Sequence, residues 1–404
     1  MRVLFITRPL GIGGHINSTL SIIREFERRG HETFLLATEG LMGQQFRDLG
    51  TTVFILKNKN SSKTIGKKIR YFRQLIKIIK QNAIDIVQAQ DQLSLYPAYF
   101  ASAIMEKPLF FTKAGGEVPK YVIPEEVSVV VFSKELEQGM KSNGYKNQIF
   151  FIPGRIDCGT YYAKMPERSF LEKYHLPLEG IKVVMAMRFD PQKKPWLESF
   201  LHNLHNFDPK KAPKQVSVVL VGDGPLFPNI LKTAEKINES LPMKVLYLTG
   251  KISQANEMMA LYNYADIVVG HGRGILEAMA CGKPVINLGE NGLGTVVDEG
   301  SITQISYYNF SGRHLRHHPA MGKELLDSIV RIAGNSTLMK NLGDFSLAYI
   351  RRNYDARTGA EAFLKIYSDK EKQKKPSFRT MVAFTWKRFA FALNNRLKAI
   401  SHGK

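Results

Sequence analysis

The chain has 404 residues, of which 44% are hydrophobic and 23% charged, a composition typical of globular proteins and unlike that of disordered or collagen-like chains. Its two cysteines, Cys158 and Cys281, exclude a disulfide scaffold and a multi-cysteine zinc site and fit a reducing compartment. No apolar stretch predicts a signal peptide or a transmembrane helix. The net charge of +21 favours a polyanionic partner such as nucleic acid, an anionic membrane or a phosphorylated ligand.

Short apolar segments alternate with amphipathic segments of helical period, which predicts parallel β-sheets with helices on both faces. The predicted strands of the first half are Val3–Ile6, Thr33–Ala37, Val53–Leu56, Ile84–Val87, Leu109–Thr112, Val129–Phe132 and Phe150–Ile152. Those of the second half are Val183–Ala186, Val216–Val221, Val245–Leu248, Ile267–Gly270, Pro284–Leu288 and Ile302–Ser306. The pattern is interrupted at 153–181, so we predict two doubly wound, Rossmann-like α/β domains, 1–155 and 156–367, and a basic tail, 368–404.

Glycine-rich turns follow several predicted strands. Gly13 and Gly14 separate the first strand from an amphipathic helix, where glycines let a ligand approach the backbone and the helix N-terminus favours an anion. A tight turn without a ligand explains these two glycines equally well. Gly222 begins the turn Gly222–Pro225, for which a purely structural strand-to-helix turn accounts for most residues.

Two basic residues, Arg188 and Lys193, follow the first strand of the second half. Ligands of doubly wound folds bind at the carboxyl ends of the strands, and a guanidinium together with an ammonium suits a diphosphate. An ordinary solvated basic loop is the alternative, and the pair in isolation does not exclude it.

The segment Gly270–Ile286 combines a strand end, a glycine-rich loop and a short helix. Backbone N–H groups around Gly272–Ile275 would face an anion at the start of this helix. Glu277, one turn further on, is placed to accept two hydrogen bonds from a ribose diol; the alternative is that it only balances the helix dipole.

Together these motifs resemble the GT-B glycosyltransferases of family four over about residues 1–367. The most specific piece is the run Leu276–Val285, and weaker pieces occur in the expected order. These weaker pieces are the Gly13-Gly14 loop, Ser133–Leu136, Ile152-Pro153, Arg188 with Lys193, Val221–Pro225, Gly250 and Ala265–Ile267. The resemblance implies two domains facing across a cleft and a retaining, metal-independent transfer of a sugar from a nucleotide diphosphate sugar, with no cofactor besides this donor substrate.

The resemblance also implies roles for individual residues. Arg188 and Lys193 would hold the donor diphosphate and Glu277 the ribose. The backbone of Gly250, Lys251 and Ile252 would contact the base. The other expected donor-binding residues are Gly13, Gly14, Gly222, Gly272, Arg273, Gly274 and Ile275.

The chain departs from the family pattern on both sides of the expected cleft. The family commonly has a second glutamate eight residues before Glu277, where this chain has Val269. Donor-sugar contacts are therefore expected from the backbone of the loop 270–274, with His271 and Arg273 as candidate helpers.

In the first domain, Gln88 and Gln90 stand where the family often has histidines. The turn 112–116 also lacks its frequent histidine, which leaves Lys113, Gly115 and Gly116 as candidate lining residues.

Basic residues concentrate in two segments. Residues 57–80 hold nine Lys/Arg and no acid around an apolar helical stripe, which predicts a helix packed on the first sheet whose basic face is either solvated or docked on lipid headgroups. Residues 370–404 carry a net charge of +9 and predict a basic amphipathic helix at a membrane surface, the alternatives being a helix packed back on the protein or a disordered tail. The apolar stripe of this tail is Phe378, Val382, Trp386, Phe389, Leu393, Leu397 and Ile400.

We therefore predict a hexosyl- or glycosyltransferase of surface polysaccharide or glycolipid synthesis, cytoplasmic and peripheral at the inner face of the cell membrane. Its expected partners are a nucleotide-sugar donor, a glycan or lipid-linked acceptor and an anionic membrane surface. Nucleic acid is not expected, because no nucleic-acid-binding module accompanies the basic residues. The alternatives are a sugar-nucleotide epimerase of the same fold, a basic nucleic-acid-binding protein and an inactive paralogue that only binds ligand.

Overall fold

The computed structural model describes residues 1–8, 10–11, 13–38, 40–56, 65–208, 212, 214–252, 254–369 and 375–386. The chain divides into two compact units: unit 1 comprises Met1–Arg155 and the segment from Arg357 onward, and unit 2 comprises Ile156–Ala356. The division after residue 155 lies where the sequence pattern breaks. Residues 357–367, which the sequence analysis assigns to the second domain, belong instead to unit 1.

The elements are numbered in chain order. The strands are β1 (Arg2–Thr7), β2 (Glu32–Thr38), β3 (Thr52–Leu56), β4 (Ile86–Ala89), β5 (Leu109–Lys113), β6 (Ser128–Val131), β7 (Ile149–Phe151), β8 (Ile181–Ala186), β9 (Val216–Val221), β10 (Leu246–Gly250), β11 (Ile267–Gly270), β12 (Val285–Leu288), β13 (Leu293–Val296) and β14 (Lys323–Glu324). The helices are α1 (Gly14–Arg28), α2 (Gly43–Arg47), α3 (Ile65–Gln81), α4 (Gln92–Met105), α5 (Lys134–Ser142), α6 (Arg168–Lys173), α7 (Lys194–His205), α8 (Phe227–Ser240), α9 (Ala255–Tyr264), α10 (Arg273–Ala280), α11 (Ile302–Tyr307), α12 (His314–His317), α13 (Leu325–Ala333), α14 (Ser336–Asn353), α15 (Ala356–Ser368) and α16 (378–386).

Unit 1 is built on a seven-stranded sheet of order β3-β2-β1-β4-β5-β6-β7, in which every neighbouring pair is parallel. Its central strands are largely apolar because helices cover both faces of the sheet. Val3, Leu4 and Ile6 of β1 are fully buried. Helix α15 packs on this unit, where Tyr367 contacts the rings of Phe26 and Phe110.

Unit 2 has a seven-stranded sheet of order β10-β9-β8-β11-β12-β13-β14. The first five strands are parallel, whereas β13 and β14 pair antiparallel. The predicted strand Ile302–Ser306 is wrong, because these residues lie in helix α11, with Ile302 and Ile305 turned into the core. The two isoleucines are three residues apart, the spacing of one face of a helix.

Candidate donor site

Four parallel strands of unit 2, β10, β9, β8 and β11, are neighbours in the sheet. Their carboxyl ends therefore lie at one edge, the position at which doubly wound folds bind ligands. The loops that follow these strands begin at Lys251, Gly222, Met187 and His271. This edge thus brings together the donor-binding residues that the sequence analysis places in the second domain.

Backbone hydrogen bonds fix the loops after β8 and β9 to each other. The Phe189 N–H donates to the Asp223 carbonyl at 3.0 Å, and the Leu226 N–H donates to the Phe189 carbonyl at 2.9 Å. A Cβ atom at Gly222 would lie 2.1 Å from the Met187 carbonyl oxygen. Packing against the loop that carries Arg188 therefore requires a glycine at position 222, whether or not a ligand is bound.

Arg188 and Lys193 lie in this fixed loop. The exposed Arg188 guanidinium pairs with Asp190 at 3.0 Å. The half-buried Lys193 ammonium lies close enough to Arg188 that burial, first, and the charge of Arg188, second, lower the pKa of Lys193. Glu290 and Asp190 act in the opposite direction on this pKa, but of the two cations only Arg188 forms an ion pair among the described residues, with Asp190. Two neighbouring cations of this kind are arranged to bind an anion with more than one charge.

His271 and Trp196 form the surroundings of Lys193. Lys193 Nζ lies 2.8 Å from His271 Nε2 and 4.8 Å from the centroid of the Trp196 ring. The rings of Trp196 and His271 stack, with centroids 4.6 Å apart and planes 24° apart. Burial and the charge of Lys193 lower the pKa of His271 to about 3, so the imidazole is neutral.

The start of α10 faces the same edge. Gly272 precedes the helix with φ +68° and ψ −140°, a conformation that favours glycine. Its N–H donates to the Phe310 carbonyl at 2.6 Å, and the buried Asn287 side chain donates to the carbonyls of Phe310 and Gly270. Phe310 itself has φ +56°, a strained conformation for a bulky residue. The loop before α10 is therefore fixed by Asn287 and Phe310, which come from two other segments.

Glu277 is buried and already has partners. Arg273 Nε donates to Glu277 Oε1 at 2.7 Å, and the two side chains are only 8% and 6% exposed. The Tyr262 hydroxyl donates to Oε2 at 3.4 Å, and the Tyr161 ring lies beside that of Tyr262, with centroids 6.3 Å apart. Burial raises the pKa of Glu277, and Arg273 opposes that rise.

The remaining donor-binding candidates of unit 2 contribute backbone rather than side chains. Gly250 has φ +73° with open space around it, Lys251 is exposed, and the Ile252 side chain is buried in the core. Ile275 is likewise a core residue, and a Cβ at Gly274 would approach the Tyr262 hydroxyl to 3.2 Å. The family glutamate that commonly precedes Glu277 by eight residues is replaced here by Val269, which is buried within β11 and supplies no carboxylate.

The candidate ligand-binding residues of unit 1 lie at the carboxyl ends of strands in the unit 1 sheet. Gly13 is the N-cap of α1 and Gly14 its first residue. The Lys113 ammonium donates to the Gly115 carbonyl and lies near Gly116, which has φ +80°.

Gln88, which the sequence analysis compares with a family histidine, is a structural residue here. Its Oε1 accepts from the Tyr367 hydroxyl at 2.7 Å, and its Nε2 donates to Thr112 Oγ1 at 2.6 Å. All three side chains are buried, and Gln90 is also buried. Gln88 therefore joins β4 to β5 and α15 instead of lining a ligand site.

Helix α16 packs on unit 1 with one face and exposes the other. Phe384 is buried and contacts the rings of Tyr96 and Tyr99. On the opposite face, the side chains at the first, fifth and ninth positions of the helix are exposed: Phe378 by 68%, Val382 by 41% and Trp386 by 70%. The later apolar residues of the predicted tail stripe, like residues 57–64 of the first basic segment, lie outside the described residues.

Several residues that build the site could not be predicted from the sequence. Tyr161, Tyr262, Trp196, Asn287 and Phe310 come from five separate segments, and only the tertiary fold brings them to Glu277, Lys193 or the loop before α10. Trp196 alone carries a local signal, since it lies three residues after Lys193.

In the part of the chain that the structure describes, no helix is both long and apolar enough to span a membrane.

Comparison with solved structures identifies the fold. The glycosyltransferase from Rickettsia africae ESF-5 is 19% identical with a TM-score of 0.70, over 92% of this chain and 98% of that chain. Alr3699/HepE from Anabaena, solved with UDP and glucose, is 16% identical with a TM-score of 0.67, over 91% and 99%. A TarM mutant from S. aureus, solved with fondaparinux, alpha-GlcNAc-glycerol and UDP, is 12% identical with a TM-score of 0.61, over 91% and 99%. The two seven-stranded α/β sheets are those of the GT-B fold.

Sequence models identify the family. Residues 12–120 match the model described as Glycosyltransferase Family 4, and residues 180–310 match the model described as Glycosyl transferases group 1. None of the curated proteins matches the sequence significantly. Since the two matched ranges span more than half of the chain, one in each unit, the chain belongs to the family four and group one glycosyltransferases.

Proposed function

We propose that this glycosyltransferase takes its sugar from a nucleoside diphosphate sugar and transfers it with retention of the anomeric configuration. The observation that carries the proposal is the meeting of Arg188, Lys193 and the start of α10 at one edge of the unit 2 sheet. Anabaena Alr3699/HepE and the S. aureus TarM mutant, which share the fold, were solved with UDP bound.

The two cations match the chemistry of the leaving group. When the bond between the sugar and the diphosphate breaks, negative charge grows on the diphosphate oxygens. Preorganised cations and a helix N-terminus stabilise that charge without reorganising during the reaction, which is often the largest contribution to catalysis. Arg188 and Lys193 thus supply leaving-group stabilisation from the chain's own residues, and we propose that no metal ion is needed.

We propose that Glu277 binds the ribose of the donor. Of its two oxygens, Oε2 has the weaker partner, because the Tyr262 hydroxyl donates to it at 3.4 Å whereas Arg273 donates to Oε1 at 2.7 Å. A ribose diol would exchange with this long hydrogen bond while Arg273 keeps the carboxylate ionised and oriented.

We propose a glycan or lipid-linked acceptor, reached by docking on an anionic membrane surface at the cytoplasmic face. The support is the exposed row Phe378, Val382 and Trp386 on α16, which is followed by residues 387–404 with five Lys/Arg and no acid. Apolar and aromatic side chains beside basic residues are typical of helices at lipid–water interfaces. Tryptophan in particular favours the headgroup boundary.

The test of the reaction is to incubate the 404-residue chain with UDP-, GDP- and ADP-sugars and to follow nucleoside diphosphate release and product anomer by NMR. A product that keeps the donor's anomeric configuration supports the proposal. An inverted product overturns the retaining reaction. An altered nucleotide sugar with no transfer or hydrolysis supports the epimerase alternative, and binding without any turnover supports the inactive paralogue.

A further inference from the structure

We infer that His271 is a positioning residue that holds the Lys193 ammonium in place for the donor diphosphate. The inference rests on the proposed function, since it concerns how the diphosphate clamp is built.

The hydrogen bond between the two side chains has a defined direction. A lysine ammonium has only donors, so His271 Nε2, at 2.8 Å from Lys193 Nζ, must accept. The ring proton then lies on Nδ1, which is buried and has no hydrogen-bond partner among the described residues. The imidazole therefore accepts a hydrogen bond from Lys193 through Nε2, while its own donor, the Nδ1–H group, makes no hydrogen bond to the described residues. The low pKa of His271, about 3, agrees with a neutral ring.

Trp196 fixes the position of the acceptor. Its ring stacks on His271 with centroids 4.6 Å apart, and it also lies 4.8 Å from Lys193 Nζ. The flexible lysine side chain is thus held at its end by an acceptor and by the face of an aromatic ring. Both contacts come from groups without net charge.

Because the two groups that hold Lys193 are uncharged, they do not neutralise its ammonium. Lys193 forms no ion pair in the part of the chain that the structure describes, while the nearest carboxylate in sequence, Asp190, pairs with Arg188. A carboxylate at position 271 would orient the ammonium equally well but would neutralise it. A neutral imidazole orients Lys193 and leaves its positive charge available to an anion.

The test compares two substitutions at His271. His271→Phe keeps a ring that can stack on Trp196 but removes the acceptor, whereas His271→Gln provides an amide oxygen as a replacement acceptor. Each is combined with the native lysine and with Lys193→Met. Calorimetry measures affinity for inorganic pyrophosphate, for UDP, GDP and ADP, and for the matching nucleosides. Thermal unfolding checks that each variant is folded.

We expect His271→Phe to weaken binding of pyrophosphate and of the preferred nucleoside diphosphate about tenfold, with no further loss in the Lys193→Met background. His271→Gln should recover most of the lost affinity, and nucleoside binding should not change. Unchanged pyrophosphate affinity in His271→Phe, or losses that simply add to those of Lys193→Met, would overturn the inference while leaving the proposed function standing. A native chain that binds none of the diphosphates would overturn both.

Discussion

Glu277 and Arg273 depend on each other because both are almost completely removed from water. Their side chains are 6% and 8% exposed and meet at 2.7 Å. Removing one member of a buried pair leaves the other charge without compensation, which costs about 3–5 kcal/mol, whereas replacing both is much less costly. The pair is thus a stability element as well as part of the proposed ribose site.

We predict that Arg273→Met lowers the free energy of unfolding by about 3 kcal/mol near neutral pH and that Arg273→Met/Glu277→Gln recovers most of that loss. Urea denaturation of the two variants, Glu277→Gln and the native chain measures this double-mutant cycle. Additive effects of the two substitutions would contradict a mutually dependent pair.

The same pair predicts a pH dependence. Burial raises the folded-state pKa of Glu277, and loss of Arg273 would raise it further. An acid whose pKa is raised on folding destabilises the protein above that pKa and loses this penalty as the pH falls through it. The difference in free energy of unfolding between the native chain and Arg273→Met should therefore shrink as the pH falls from neutral towards about 4.3, the pKa of glutamate in the unfolded state. If this difference in free energy of unfolding stays constant over the pH range, Glu277 is not the buried charge that loses its partner in Arg273→Met.

At this scale the sequence predicts the residues that carry charge but not their partners. Arg188, Lys193 and Glu277 follow from strand ends and from the run Leu276–Val285, because charge type and local position are visible in a sequence. Trp196, the partner of Lys193, lies only three residues further along the chain. Tyr262, the partner of Glu277, comes from another element, and nothing local in the sequence distinguishes it from an ordinary core aromatic. Gln88 shows the opposite error. It follows a predicted apolar strand, as a ligand-binding residue would, but its buried side chain instead hydrogen-bonds to Tyr367 and Thr112.

At the scale of elements, a buried polar contact within an aromatic cluster joins α15 to the sheet of unit 1. The Tyr367 hydroxyl donates to Gln88 Oε1 at 2.7 Å, and both side chains are fully buried. The Phe26 and Phe110 rings surround Tyr367 at 6.0 and 4.7 Å. The apolar contacts would survive loss of the hydroxyl, so the hydrogen bond can be tested separately.

We predict that Tyr367→Phe lowers the free energy of unfolding by about 1–3 kcal/mol, because it leaves Gln88 Oε1 buried without that donor. Tyr162→Phe, at a tyrosine that is 40% exposed, is the matched control and should change little. Chemical denaturation monitored by fluorescence measures both. Equal stability of Tyr367→Phe and the native chain would show that the bridge does not hold α15.

Most strands of both sheets are predictable because parallel strands covered on both faces are continuous apolar runs. The failures have local reasons. Ile302–Ser306 is rich in residues of high β-propensity, yet Ile302 and Ile305 have helical spacing, and burial of that face in unit 2 determines the outcome. Strand β13 is short and contains Gly294, whose Cβ would lie 2.6 Å from Ile286, so tertiary packing creates a strand that composition does not favour.

For the whole molecule, the segment of the sequence that contains α16 carries a large share of the net charge of +21. Residues 370–404 carry +9 of it, and Phe384 anchors α16 to unit 1 while Phe378, Val382 and Trp386 remain exposed. Deleting this segment would uncover the aromatic contacts of Phe384. Substitution of the exposed row is therefore a cleaner test of membrane docking than truncation.

We predict that the native chain co-sediments with vesicles containing phosphatidylglycerol and that the triple variant Phe378→Ser/Val382→Ser/Trp386→Ser binds much more weakly. Met165→Ser/Leu178→Ser, at side chains that are 90% and 64% exposed elsewhere, is the control and should bind as the native chain does. Binding should also weaken between 0.1 and 1 M salt, since the Debye length falls from about 10 Å to about 3 Å. Equal sedimentation of the triple variant would transfer the membrane contact to another surface, and no sedimentation of any variant would remove the membrane proposal.

The central claim is that Arg188 and Lys193 bind the diphosphate of a sugar donor. Its most direct test is calorimetric titration of the native chain, Arg188→Ala, Lys193→Ala and the control Lys194→Ala with UDP, GDP, ADP and their nucleosides. Lys194 adjoins Lys193 but is exposed and pairs with Glu198 at 3.4 Å. We predict that the preferred diphosphate loses about 1.5–3 kcal/mol of binding free energy in each of the first two variants and none in the control, with nucleoside affinity unchanged. Diphosphate affinity that is the same in all four proteins would contradict the account.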